Sequence, residues 1–207
     1  MLGKNILTKL RWREPNSPVD AQTHFEEGVR LAEQGLYTEA LVELKQAVRA
    51  DPDCAEAQIE IGLTYYKMGR PDQAIKAYLA ALEIRSDLVK AYRNLGIAYD
   101  GLGHFLKALK MYTKAIILDP SDPEVRSDLG VAYFNIGGYA DAIKAYQQAL
   151  DIDPNNARAH FCLGLVHLDL NDKELALEEQ SKLEELKESR LAFQLMDQIQ
   201  RQFREAS

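Results

Sequence analysis

The chain has 207 residues, with 25 Lys and Arg against 32 Asp and Glu, which gives a formal charge of −7. Hydrophobic residues make up 46%, with only 12 Gly and 7 Pro, so a continuous core is within reach and extensive disorder is excluded away from the ends. The acidic balance excludes nucleic acid as a general partner, because binding phosphates needs clustered Lys and Arg. No apolar run approaches the roughly 20 residues that a helix needs to span a bilayer.

The first element in chain order is a leader and linker over residues 1–20. Lys4, Lys9, Arg11 and Arg13 put +4 into the first 13 residues, leaving −11 for the rest of the chain. Leu2, Ile6, Leu7 and Leu10 recur at helical spacing, Trp12 follows, and Pro15, Asn16, Ser17 and Pro18 form a linker. Cations interleaved with apolar residues, and no small-residue cleavage site, do not make a secretory signal, so no export is expected. Three readings of this basic amphipathic leader stand open. It covers the exposed face of the first repeat unit and shelters Glu27. It touches a membrane surface through Lys4, Lys9, Arg11, Trp12 and Arg13. Or it docks into a second copy and drives homo-oligomerisation.

From residue 21 the chain repeats itself every 34 residues, with units expected at 21–54, 55–88, 89–122, 123–156 and 157–188. Slot eight of each unit is Gly28, Gly62, Gly96, Gly130 and Gly164. Slot fifteen is Gly35, Gly69, Gly103 and Gly137, then Asn171, and slot twenty is Ala40, Ala74, Ala108, Ala142 and Ala176. Slot eleven carries Leu31, Tyr65, Tyr99, Tyr133 and His167, and slot twenty-four carries Leu44, Tyr78, Tyr112, Tyr146 and Gln180. Each unit divides at slot fifteen into two segments of helical apolar spacing, so each is predicted to be a helical hairpin. Asp122 before Pro123 suits a capped first turn. A glycine inside a helix costs about 0.5–1 kcal/mol against alanine, so the slot-eight glycines imply close packing of facing helices. One hairpin cannot bury its own apolar surface, so the units must stack. Residues 189–207 place Leu191, Leu195, Ile199 and Phe203 at fourfold spacing among polar residues, and this predicts an amphipathic C-terminal capping helix.

These coincident slots resemble the tetratricopeptide repeat family over residues 21–188. The resemblance implies an all-α fold, a right-handed α-solenoid of antiparallel helix hairpins, that binds another protein rather than catalysing a reaction. It departs from the pattern at Glu27, where other units have Ile61, Leu95, Leu129 and Leu163, at Ser86 in place of a terminal proline, and in the fifth unit's loss of its aromatic slots.

Slots two, five, six, nine, twelve and thirteen of each first helix share one face, and in the resemblance that face lines the concave surface where peptides bind. Slot nine makes an apolar stripe of Val29, Leu63, Ile97, Val131 and Leu165. Slot five adds Phe25, Ile59 and Phe161, and slot twelve adds Tyr66, Phe134 and Leu168. Slot six runs Glu26, Glu60, Asn94, Asp128 and Cys162, a row of acceptors suited to lysine or arginine. Lys67, Lys90 and Arg93 interrupt this acidic row. The pattern favours a basic amphipathic peptide or helix in the groove, and packing of the same stripe against neighbouring helices is the competing reading. A subclass of the family clamps chaperone C-terminal carboxylates with Lys, Asn and Arg at fixed slots, and no frame of this chain supplies that set.

No phosphate-cradling loop, zinc-protease motif or nucleophile elbow occurs in the sequence. His160 and His167 read as packing residues rather than metal ligands, and Cys54 and Cys162 as two reduced thiols of a cytoplasmic protein. The expectation is therefore no enzyme, no cofactor and no metal.

Overall fold

The computed structural model describes residues 18–204, with side chains described for residues 20–203. The five leader residues assigned above to membrane contact or self-assembly, Lys4, Lys9, Arg11, Trp12 and Arg13, lie outside the described residues. The described residues form eleven helices and no strand. They divide into two compact units, one ending at Ser86 and the other beginning at Asp87.

The first unit holds α1 (Pro18–Glu33), α2 (Tyr37–Ala50), α3 (Ala55–Lys67) and α4 (Pro71–Ile84). Helix α1 begins at Pro18, so the last three residues assigned to the linker already belong to the first hairpin. Pro71, with its φ preset and no N–H to satisfy, suits the first helical position that it takes in α4. α1 packs on α2, α3 on α4, and α2 on α3. Leu41, Leu44, Ile61 and Ala77 form the buried centre, with Phe25, Val29, Val48, Tyr65 and Met68 against its edge.

The second unit holds α5 (Val89–Gly101), α6 (Phe105–Leu118), α7 (Pro123–Asn135), α8 (Tyr139–Ile152), α9 (Ala157–Asp169), α10 (Lys173–Glu185) and α11 (Ser189–Arg204). Its hairpins are α5 with α6, α7 with α8 and α9 with α10, and each second helix also contacts the first helix of the next hairpin. Asp122 caps α7 as expected, its Oδ1 accepting from the Glu124 N–H at 2.8 Å and the Val125 N–H at 3.3 Å. Asn156 and Asp172 cap α9 and α10 with one hydrogen bond each, accepting from the Ala159 and Leu175 N–H groups. Glu27, the anomalous slot-seven residue of the first unit, is held by Arg30, whose Nε donates to it at 2.8 Å.

The hairpin turns share one geometry. At the first of them the Leu36 N–H reaches the Leu31 carbonyl at 2.9 Å and the Gly35 N–H reaches Ala32 at 3.2 Å, with Gly35 at φ 79°. That closure needs a left-handed residue, which glycine supplies without steric cost. Asn171 and Lys187 take the same conformation at φ 59° and 61°. Lys187 ends α10 in a turn that no glycine marks.

The slot-eight glycines do face their own hairpins. A methyl group on Gly62 would lie 2.3 Å from Tyr78 Cε1, and the same atom of Tyr112 and Tyr146 stands 2.5 Å from the corresponding position at Gly96 and Gly130. The rings of Tyr78, Tyr112 and Tyr146 are fully buried against this space. The fifth unit solves the problem differently. Gln180 occupies the ring's slot and hydrogen-bonds Glu184, while Leu195 of α11 comes within 2.5 Å of the Gly164 position. Ala192, Leu195 and Ile199 of α11 are buried with Leu168 and Leu183, so α11 is the apolar cover of the last hairpin.

Candidate functional site

The candidate surface is the face formed by the first helix of each hairpin. In the first unit, α1 and α3 carry Glu26, Val29, Glu60, Leu63, Tyr66 and Lys67 on it. Tyr66 is 37% exposed, and Glu26 and Lys67 are exposed with it. Val29 and Leu63 are half-buried, and Val29 leans on the core through its inner side. Ile59 is only 3% exposed and belongs to the core, which removes it from the apolar face read from the sequence. Glu26 accepts a hydrogen bond from Gln22 Nε2 at 2.7 Å.

In the second unit, the equivalent face is built from α5, α7 and α9 and has a different chemistry. Ile97, Val131 and Phe134 are half-buried against the core clusters, and the Phe134 ring tilts against Tyr139 with 5.8 Å between centroids. Leu168 is buried under α11, and Phe161 and Leu165 pack there too, so the last turn of the predicted apolar stripe is covered.

Asp128 departs most from the expected row of open acceptors. Its side chain is 3% exposed and both oxygens are occupied, Oδ2 by Arg93 Nε at 2.7 Å and Oδ1 by Arg158 Nη1 at 2.6 Å. Glu124 joins through Oε2, 3.3 Å from Arg93 and 3.5 Å from Arg158, while its Oε1 accepts from Asn156 Nδ2 at 2.9 Å. Two guanidiniums and two carboxylates thus close on one another across three first helices. Asp128 cannot orient a ligand from this position, and it holds Arg93 and Arg158 in place instead. Burial pulls against the Arg93 charge, but the hydrogen bond to Asp128 and the surrounding carboxylates leave its pKa above the ordinary value. Arg158 behaves alike, with burial opposed by the Asp128 charge and its hydrogen bond.

The neighbouring groups follow from this network. Burial raises the Asp100 carboxyl, against a hydrogen bond from Asn135 Nδ2 at 3.2 Å. Burial also pushes the Cys162 thiol up, with the nearby Arg158 charge only partly opposing it, which is the reverse of an activated thiolate. Asn94 has a buried amide nitrogen with no hydrogen-bond partner among the described residues. His160, on the other side of α9, faces two acceptors: Nδ1 stands 2.6 Å from Glu179 Oε2 and Nε2 stands 3.1 Å from the Pro154 carbonyl. The hydrogen bond to Glu179 raises its pKa against the effect of burial.

Glu124 and Arg158 occupy slot two of this face but are not among the expected contact residues, and Asn156 lies outside the slots assigned to it. Their signal is in the spacing. Asp128 follows Arg93 by one residue more than the repeat, and Arg158 follows Asp128 by four fewer, which puts all three within one turn of the same level on adjacent helices.

Family models described as "TPR repeat" and "Tetratricopeptide repeat" match the chain. The first covers residues 28–69 and 132–171, and two of the second description cover 53–121 and 111–144, so the matches run unbroken from 28 to 171. Among curated protein sequences none matches this one. Among solved structures, MamA 41-end from Desulfovibrio magneticus RS-1 is similar with a TM-score of 0.74 and 25% identity, covering 82% of this chain and 96% of its own. A crystal structure of MamA superposes with a TM-score of 0.70 and 26% identity over 79% of this chain and 95% of that one. YrrB, described as a TPR protein with an unusual peptide-binding site, shares the fold with a TM-score of 0.67 at 22% identity, over 84% of this chain and 90% of its own. The repeat period, the stacked helical hairpins and these matches agree, and the chain belongs to the tetratricopeptide-repeat family, whose proteins bind other proteins or peptides.

Proposed function

We propose that the protein is a non-catalytic adaptor that holds a basic, amphipathic segment of another protein on the first-helix face of α1 and α3. The observation that carries this reading is the pairing of exposed Tyr66 and half-exposed Val29 and Leu63 with the carboxylates of Glu26 and Glu60. An apolar strip bordered by carboxylates matches a peptide that alternates apolar residues with lysine or arginine. Lys67 at the end of the strip admits one acidic residue of that peptide. Taken by itself, the first-helix face of the second unit carries Ile97, Val131 and Phe134, with Lys90, Arg93 and Asn94 beside them. Its carboxylate Asp128 is committed to Arg93 and Arg158, so it takes no part in charge recognition.

The test is fluorescence anisotropy with a labelled peptide in which leucines alternate with lysines. Glu26→Lys with Glu60→Lys should weaken binding about tenfold or more, which corresponds to about 1.4 kcal/mol, and Tyr66→Ala should weaken it further. An unchanged affinity in the double variant, with its thermal melt intact, rejects this face as the site.

A further inference from the structure

A second surface lies on the other side of α3. Gln58, Ile61 and Tyr65 project there, on the helix face opposite Glu60, Leu63 and Lys67 given about 100° per residue. Helices α2 and α4 flank these residues and enclose an open cleft of about 550 Å³. That is within the range of about 300–1,000 Å³ typical of ligand clefts.

The floor is apolar, made by Val48, Ile61, Tyr65, Ala77 and Ala80. Around it stand three cations, Lys45, Arg49 and Lys76, and no carboxylate lines the cleft. Lys45 sits over the Tyr65 ring at 5.5 Å, a position that keeps its charge beside the floor. Among the described residues neither Arg49 nor Lys76 makes an ion pair. Three uncompensated cations around one recess are out of keeping with a chain of charge −7. The repeat does not require Lys45 or Arg49, whose slots carry Leu79 and Glu83 one unit on, then Thr113 and Ile117, then Gln147 and Asp151, whereas the slot of Lys76 keeps a lysine at Lys110 and Lys144.

We infer that this cleft is a docking site for an acidic peptide segment of a partner protein, one that inserts an apolar side chain between flanking carboxylates. The charge pattern selects the acid and the floor selects the apolar residue. Gln58 and Gln73 at the rim offer amide donors and acceptors to a peptide backbone, which distinguishes this occupant from a lipid surface. A recess receives a protruding side chain, whereas adsorption to a bilayer needs apolar groups that protrude from the protein. The adaptor then engages a basic segment on one face of α3 and an acidic segment on the other, through different residues.

The experiment uses the full chain and a fluorescent peptide in which leucines alternate with pairs of glutamates. Saturable binding is expected, weakening as salt is added. Arg49→Glu with Lys76→Glu should reduce affinity at least about tenfold, equivalent to about 1.4 kcal/mol, without changing binding of the lysine–leucine peptide. Ala80→Trp, which fills the floor without altering charge, should reduce it as well, and replacing the peptide's leucines by serine should abolish binding. Thermal melts of both variants establish that they fold. No saturable binding, or equal affinity in wild type and the charge-reversed variant, overturns the inference. So does charge-dependent binding to phosphatidylserine vesicles without binding of the peptide, which would make the cleft a lipid contact.

Discussion

Removing the Asp128 side chain is the most direct test of what that residue does. Taking one partner out of a buried ion pair costs about 3–5 kcal/mol, because a charge is left without compensation. Two features lower that figure here. Arg93 and Arg158 are 28% and 42% exposed, so both guanidiniums can turn to water once released. Glu124 also remains within 3.3 and 3.5 Å of them. Each charged hydrogen bond lost contributes about 1.5–3 kcal/mol before that rehydration, so Asp128→Ala should cost about 2 kcal/mol. Urea unfolding followed by circular dichroism should show this as a fall of about 1 M in midpoint at a slope typical of small proteins. Asp128→Asn keeps the shape and one acceptor and should cost roughly half as much. Arg93→Ala combined with Asp128→Ala should cost less than the separate losses added together, because the two share one interaction. A midpoint within about 0.3 M of wild type for Asp128→Ala would refute the assignment of Asp128 as an internal anchor.

Two further outcomes follow from the packing and the titrating groups. Gly62→Ala gains about 1 kcal/mol in helix propensity but drives a methyl into the fully buried Tyr78 ring, where overpacking costs about 1–3 kcal/mol. Gly164→Ala meets the end of the flexible Leu195 side chain and should be far better tolerated, so equal melting points for the two variants would contradict the packing account. His160 has a folded pKa raised above 6.5 by Glu179, so its contribution is complete below about pH 6.5 and is lost as pH rises through the raised value. The stability difference between wild type and His160→Gln should therefore shrink as pH rises above about 6.5, and a difference that grows instead would disprove the Glu179 pairing.

The repeat architecture was legible because it is local and periodic. Gly at slot eight, Ala at slot twenty and the left-handed turn at slot fifteen recur in register, and each reports a constraint satisfied inside one hairpin. Asp122 and Pro123 marked a helix start for the same reason: a cap acts on the backbone of its next few residues. Tyr66 on the open face was legible from helical spacing alone. The start of α1 at Pro18 and the left-handed Lys187 were not, since neither lies within the repeating pattern.

What the sequence by itself determined is the fold: five hairpins of one kind, a covering C-terminal helix, and the face each first helix presents. What only the tertiary structure decided is which side chains on that face remain open. Glu26 and Asp128 share slot six, yet Glu26 is exposed while Asp128 is buried between Arg93 and Arg158, because two neighbouring helices bring arginines to its level. Ile59 and Leu168 share their slots with Arg93 and Tyr66, yet they are core because the helices packed beside them close over those positions. The basic cleft over α3 likewise assembles Lys45, Arg49 and Lys76 from two different helices. Periodicity reports what each helix does on its own, whereas charge pairing and burial depend on residues about one repeat apart meeting across an interface.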